Sequence, residues 1–162
     1  MHYTVLETRL GWMGLARSDA GISRVILPRK SPDDVLTLID ATNARLDKNA
    51  FVYLTQRLIR YFDSKQVDFP DKIDLSHSTT FKKLVWQAAQ TIPYGQTRSY
   101  AWIAKRIGNP CAARAVGQAL RENTCPILIP CHRVISSSGA LGGFSGGLQM
   151  KQLLLNIERN EE

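Results

Sequence analysis

The sequence predicts an α+β protein in two parts, the first built on a small antiparallel sheet and the second mainly helical. Three observations carry this. Polar and apolar side chains alternate from Met1 to Leu10, and strand-like runs separated by turn residues continue to Leu27. From Thr80 onward, apolar residues recur at helical spacing. Between the two, around Ser76-His77-Ser78, the composition shifts. The boundary is therefore expected at 75 to 79, with an N-terminal α/β domain over 1–75 and a C-terminal domain over 79–162.

In the first part, Tyr3-Thr4-Val5-Leu6, Gly14-Leu15-Ala16 and Ile22-Ser23-Arg24-Val25-Ile26-Leu27 read as strands of a meander, with Ser18-Asp19-Ala20-Gly21 as a turn. Ser31-Pro32-Asp33-Asp34 supplies an N-cap, a proline at the first helical position and acids at the positive helix end, so a helix is expected from about 32 to 42. Phe51, Leu54, Leu58, Tyr61 and Phe62 mark a second helix. Val67 to Leu75, polar and interrupted by Pro70, reads as an edge segment leading to a linker.

In the second part, Thr80 precedes Phe81, Leu84, Val85 and Ala88, a capped amphipathic helix. Ser99 is placed to cap a short helix through Tyr100, Ile103 and Ala104 that ends at Gly108. Asn109-Pro110 then predicts a helix from about 110 to 121, and the pair reads as helix-turn-helix. Ile127-Leu128-Ile129 is expected as a short buried strand, and Leu148 to Glu158 as a closing helix packed through Leu154, Leu155 and Ile157.

Charge is uneven. Residues 1–75 carry 11 basic and 10 acidic side chains, whereas 76–162 carry 10 basic and 4 acidic; Glu122 is the one acid from 76 to 157. A phosphate backbone approaching this half meets almost no like charge, which favours a nucleic-acid partner. No run of about 18 apolar residues is present and Met1 to Leu10 form no apolar signal segment, so a cytoplasmic or nucleoid-associated protein with no membrane partner is expected. The three cysteines, all between 111 and 131, are poor material for a disulfide framework.

Two segments bear on chemistry. Cys111-Ala112-Ala113-Arg114-Ala115-Val116-Gly117-Gln118-Ala119-Leu120 is built of small residues around one Arg. Such a helix suits close packing in a core, or entry into a minor groove about 6 Å wide with Arg114 reaching the bases. Cys111 and Cys125 read as small core hydrophobes. Cys131 differs, because His132 and Arg133 follow it and Pro126 and Pro130 bracket the segment that presents it. On a strand, adjacent side chains point to opposite faces, so His132 need not touch the sulfur directly, and a water could join them. Gly142-Gly143-Phe144-Ser145-Gly146-Gly147 lacks the Lys-Ser/Thr ending of a nucleotide-hydrolysing phosphate loop.

Taken together, Asn109-Pro110 through Arg114-Ala115-Val116-Gly117, then Pro130-Cys131-His132-Arg133-Val134 and Ser145-Gly146-Gly147-Leu148, resemble the motifs of the O6-alkylguanine-DNA alkyltransferases over about Thr80 to Glu158. The resemblance implies DNA repair: irreversible transfer of an alkyl or methyl group from O6 of guanine, or O4 of thymine, to Cys131 after the damaged nucleotide is flipped from double-stranded DNA. It implies a single-turnover protein without cofactor or metal, monomeric, with cooperativity on DNA left open.

The same resemblance assigns roles. Cys131 is the nucleophile, activated by His132 through a water and by Glu158; Tyr100, in Tyr94-Gly95 through Ser99-Tyr100, rotates the nucleotide and donates to guanine. Arg114 is the finger filling the vacated stack, with Ser99, Asn109, Ala113, Ala115 and Gly117 at the DNA. Val134, Phe144, Ser145, Gly146, Lys151 and Pro126 line the substrate pocket, and Asn123 is the hinge. Phe144 stands where many members carry Tyr, which removes a hydroxyl contact. The family fold implies a ribonuclease H-like N-terminal domain and a winged-helix C-terminal one. No Cys precedes 111, so the structural zinc of some members cannot be built. Two rivals remain: a non-catalytic binder of alkylated bases, in which Cys131 would be unexpected, and a winged-helix transcription factor with Cys131 structural.

Overall fold

The computed structural model describes residues 1–160. It is an α+β fold that divides into two compact units, Met1–Ser76 and His77–Glu162.

In the first unit, β1 (His2–Thr8), β2 (Gly11–Ser18) and β3 (Gly21–Arg29) form an antiparallel meander. The strands run longer than the alternation suggests because β2 buries four residues in a row, Met13 to Ala16, and is covered on both faces. The helix α1 (Pro32–Ile39) lies on it so closely that a Cβ at Gly14 would strike Val35 and Ile39, and these two pack with Ile26. The hydroxyl of Ser31 accepts from the Asp34 N–H at 3.2 Å, as expected of the N-cap. α1 stops short of the expected residue 42 because Asp40 turns left-handed, at φ 54°. After it, β4 (Arg45–Leu46) joins β1 in parallel, so the sheet is mixed and not purely antiparallel, in the order β3-β2-β1-β4. α2 (Val52–Phe62) buries Leu54, Leu58, Tyr61 and Phe62. The expected edge segment after it contributes one isolated bridge, Ile73 to Ile22. Its main chain passes across the Gly21 Cα too closely for any side chain there.

In the second unit, α3 (Thr80–Gln90) is capped one residue earlier than expected, by Thr79, whose hydroxyl accepts from the Lys82 N–H at 3.2 Å. Trp86 on α3 donates its indole N–H to the Ala119 carbonyl at 2.9 Å. β5 (Arg98–Ser99) pairs in parallel with β6 (Val134–Ile135), a short ladder that leads straight into α4 (Tyr100–Arg106). Ser99 caps α4 by accepting from the Trp102 N–H at 3.0 Å, and Gly108 ends the segment at φ 80°.

Several expectations fail here for local reasons. α5 (Ala113–Arg121) begins three residues later than Asn109-Pro110 suggests, because the Asn109 carbonyl accepts from Ala112 N–H in a separate turn. Cys111 sits on that turn and is exposed, not a core residue. Ile127-Leu128-Ile129 is a tight turn and not a strand: the Ile129 N–H closes on the Cys125 carbonyl at 2.9 Å and Ile127 takes φ 74°. The chain then enters a single 3₁₀ turn, Cys131–Arg133, so alternation of strand faces does not separate Cys131 from His132. The closing helix α6 (Leu148–Glu158) has the expected bounds. Among the described residues no helix is long and apolar enough to cross a membrane.

Candidate active site

The turn that presents Cys131 is held from inside. The buried amide of Asn123 accepts from the Cys125 N–H at 2.9 Å and donates to the Ile129 carbonyl at 2.8 Å, closing both ends of the turn. The same side chain is hydrogen-bonded to the Cys131 thiol. Cys131 is 5% exposed. Burial pushes its pKa up to about 11, although the bond from Asn123 and the Lys151 charge pull the other way. At neutral pH it rests as a thiol.

His132 and Glu158 meet beneath it. His132 Nε2 lies 2.5 Å from Glu158 Oε2, and both side chains are buried. Arg133 closes the arrangement: its Nε donates to Oε1 at 2.8 Å, one terminal nitrogen to Oε2 at 3.1 Å and the other to the Ile92 carbonyl at 2.8 Å. The Gly95 N–H adds a fourth bond to the carboxylate, at 3.1 Å. Burial alone would raise the Glu158 carboxyl, but the bonds and charges of His132 and Arg133 outweigh it and hold the group well below the usual carboxylate range. Burial also lowers the pKa of His132 despite the opposing pull of Glu158, so the imidazole is neutral. A neutral ring facing a carboxylate keeps its proton on Nε2, which makes Nδ1 the basic nitrogen.

Above the thiol, Lys151 gathers three backbone carbonyls: Val134 at 2.7 Å, Leu141 at 2.5 Å and Gly143 at 3.1 Å. It also donates to the Tyr100 hydroxyl at 3.4 Å. Burial brings the pKa of Lys151 down to about 8, against the stabilising influence of Cys131. Burial raises that of Tyr100, and a backbone hydrogen bond at Gly143 opposes it. The ring of Tyr100 occupies the space a Cβ at Gly142 would need. Lys151 therefore ties the 141–143 loop and β6 to Tyr100.

An open cavity of about 340 Å³ lies where the loop meets α5, lined by Tyr100, Ala113, Arg114, Gly117, Gln118, Arg121, Gly142 and Gly143. Four expected residues, Tyr100, Ala113, Arg114 and Gly117, converge there. Ala115 is exposed on α5, Ser99 acts as a cap, and Asn109 is exposed in the turn before α5. Val134 is buried, Phe144 and Pro126 are half-buried, and Ser145 and Gly146 are exposed; none of these lines the cavity. Sequence reasoning missed Arg121, whose guanidinium fills the space against the Gly143 Cα, and it missed the hold of Arg133 on Glu158. The first was one Arg among ten basic residues of the second half. The second stood in the motif itself, where its donors could have suggested a buried acid.

Residues 80–160 match the model of the 6-O-methylguanine DNA methyltransferase, DNA binding domain. The chain is 41% identical over 160 residues to the constitutive methylated-DNA–protein-cysteine methyltransferase of Bacillus subtilis, covering 98% of this chain and 95% of that one. It is 39% identical over 159 residues to the methylated-DNA–protein-cysteine methyltransferase of Mycolicibacterium paratuberculosis, covering 98% and 93%. Among solved structures, Mycobacterium tuberculosis OGT in complex with DNA superposes with a TM-score of 0.85 at 38% identity, covering 99% of this chain and 94% of that one.

Proposed function

The chain belongs to the 6-O-methylguanine DNA methyltransferase family, which repairs DNA by direct transfer of the alkyl group to a protein cysteine, and from that premise we propose that Cys131 is its acceptor. The observation that carries the assignment is the 3₁₀ turn that holds Cys131 beside His132, whose imidazole is paired with the buried Glu158 of α6.

The site explains how a resting thiol becomes a nucleophile. With its pKa near 11, forming the thiolate at pH 7 costs about 5 kcal/mol. Thiolate formation is therefore coupled to transfer instead of preceding it. The Cys131 proton passes through a water to His132 Nδ1, and the imidazolium is stabilised by the ionised Glu158. The S–C bond forms as the C–O6 bond breaks, the electron pair leaves with guanine, and the Tyr100 hydroxyl donates to the base as its charge develops. The product is S-alkylcysteine, which nothing in the sequence reverses, so each molecule acts once.

On DNA, α4 and α5 act as a helix-turn-helix within a winged-helix C-terminal domain, 79–162, and the 1–75 domain is ribonuclease H-like. α5 enters the minor groove with its small face, Ala113, Ala115 and Gly117, while Ser99 and Asn109 lie at the backbone. Arg114 fills the stack behind the flipped nucleotide. The base is held by Val134 through its carbonyl, which retains a lone pair beside its bond from Lys151, and by a backbone donor at Ser145. Phe144, Gly146 and Pro126 wall the alkyl group, and Asn123 is the hinge of the acceptor turn. The protein acts as a cytoplasmic monomer on double-stranded DNA.

The test is intact-protein mass after incubation with DNA containing O6-methylguanine. One added methyl, mapped to Cys131 and lost in Cys131→Ser, is the expected result. An unchanged mass with retained binding would overturn the assignment in favour of a non-catalytic binder.

A further inference from the structure

The ring of Trp102 on α4 holds two arginines, one from β5 and one from α4. The Arg98 guanidinium lies 5.5 Å from the centroid of Trp102 and that of Arg106 lies 5.1 Å from it. Trp102 and Arg106 are four apart on α4, the spacing that places side chains on one helix face, Arg98 reaches the same ring from β5, and Ile103 and Ala104 are buried toward the core. Arg98 is held further by bonds to the Thr97 carbonyl and the Gln96 side chain, both at 2.8 Å. Each guanidinium has five N–H donors, so both keep donors to spare. Neither is paired with a carboxylate among the described residues, and Glu122, the one acid from 76 to 157, is engaged by Lys82 at 2.6 Å.

We propose that Arg98, Trp102 and Arg106 form a second duplex-DNA contact that grips backbone phosphates beside the flipped-nucleotide site, an inference that rests on the DNA-repair reading above. Placing two arginines next to each other costs repulsion and side-chain entropy, and the shared ring offsets both in advance through cation–π contact. An arrangement of that kind is preorganised for an anion. The stripe is continuous with the DNA face, because Arg98 is two residues from Tyr100, which lines the cavity. The two guanidiniums, at 5.5 and 5.1 Å from the same ring centroid, lie at most about 11 Å apart, roughly the rise of three base pairs. In helix-turn-helix proteins the first helix crosses the backbone, which is where this stripe would lie.

The experiment measures equilibrium binding of the intact protein to O6-methylguanine duplex across a NaCl series, with transfer from free O6-alkylguanine base as the check on folding. Arg98→Gln/Arg106→Gln is expected to flatten the slope of log K against log[NaCl] by about 1.8, two phosphates at about 0.9 each, and to leave free-base transfer unchanged. Arg106→Gln alone, at an exposed position, is expected to flatten it by about 0.9 even if the double variant folds poorly. Trp102→Leu is expected to weaken binding several-fold with both arginines present. A wild-type slope in both arginine variants would overturn the second contact and leave the repair function standing. A wild-type protein that failed to bind the duplex at any salt would overturn both.

Discussion

Arg133 donates to both carboxylate oxygens of Glu158, so the residue two positions beyond the acceptor cysteine holds the acid that in turn holds His132. The bond to the Ile92 carbonyl and the stacking of Arg133 on Tyr94 at 5.8 Å fix that guanidinium in the core. The ion pair is thus part of the framework of the second unit as well as of the site.

Removing Arg133 should therefore cost stability before it costs chemistry. Arg133→Ala leaves Glu158 charged and under-satisfied in the interior, and breaking one partner of a buried pair typically costs about 3–5 kcal/mol. Arg133→Lys keeps the charge but loses the two-pronged geometry, so a smaller loss is expected. Urea unfolding midpoints measure both. An alanine variant within about 1 kcal/mol of wild type would show that the pair is not structural.

The depressed carboxyl of Glu158 makes a pH statement. An unfolded Glu titrates near 4.3, above the folded value, so the unfolded state binds the proton first. The contribution is whole above that pH and is lost as pH falls below it toward the folded value, at up to about 1.4 kcal/mol per unit. Glu158→Gln is expected to be less stable than wild type at pH 7 and to show a flatter stability curve below pH 4.5, followed by thermal unfolding in an acid series. The same variant should transfer the alkyl group more slowly while keeping DNA affinity. A transfer rate equal to wild type at every pH would remove Glu158 from the relay.

Cys131 should be slow toward small alkylating reagents in the free protein. With a pKa near 11, its thiolate fraction rises about tenfold per pH unit from 7 to 10. The exposed Cys111 would react first, so the measurement is made in Cys111→Ser, by mass spectrometry after timed iodoacetamide exposure. A rate that levels off near pH 8 would mean that the thiol is ionised before substrate arrives, contrary to the coupled transfer proposed above.

How much of this was legible in the sequence depends on distance along the chain. Caps and periodicity are local, so α1, α2, α3, α4 and α6 were readable to within a few residues, and the Ser31 and Ser99 caps to the residue. Asn109-Pro110 misled because the same dipeptide that starts a helix also makes a tight turn, and only the Ala112 N–H bond to the Asn109 carbonyl decides between them. Ile127 misled for a different reason: three apolar residues read as a strand, whereas Asn123 bonds both ends of the segment and folds it back on itself. β4 went unread because a two-residue strand exists only through its partner. In the site, Cys131, His132 and Glu158 were named through family resemblance, since nothing local distinguishes a buried Glu158 from a solvated one. Arg121 depends on the loop folding over α5, and the Lys151 cluster on α6 reaching back to carbonyls 8, 10 and 17 residues earlier, contacts that no short motif encodes.

Arg114 and Arg121 share the cavity, and their positions imply different losses. Arg114 is exposed in the first turn of α5, free of the loop, whereas Arg121 lies against Gly143 and its charge acts on Tyr100 and Lys151. If Arg114 fills the space left by an extruded nucleotide, its removal matters only when there is a stack to replace, and extrusion costs a few kcal/mol. Arg114→Ala is accordingly expected to slow transfer from duplex DNA by roughly 10- to 100-fold, equivalent to about 1.4–2.8 kcal/mol, and to leave transfer from the free base nearly unchanged. Arg121→Ala should instead slow both, because it alters the loop and the Tyr100 hydroxyl, the group proposed to donate to the base. Single-turnover rates on the two substrates separate the roles, and equal losses on duplex and base for Arg114→Ala would exclude it as the finger.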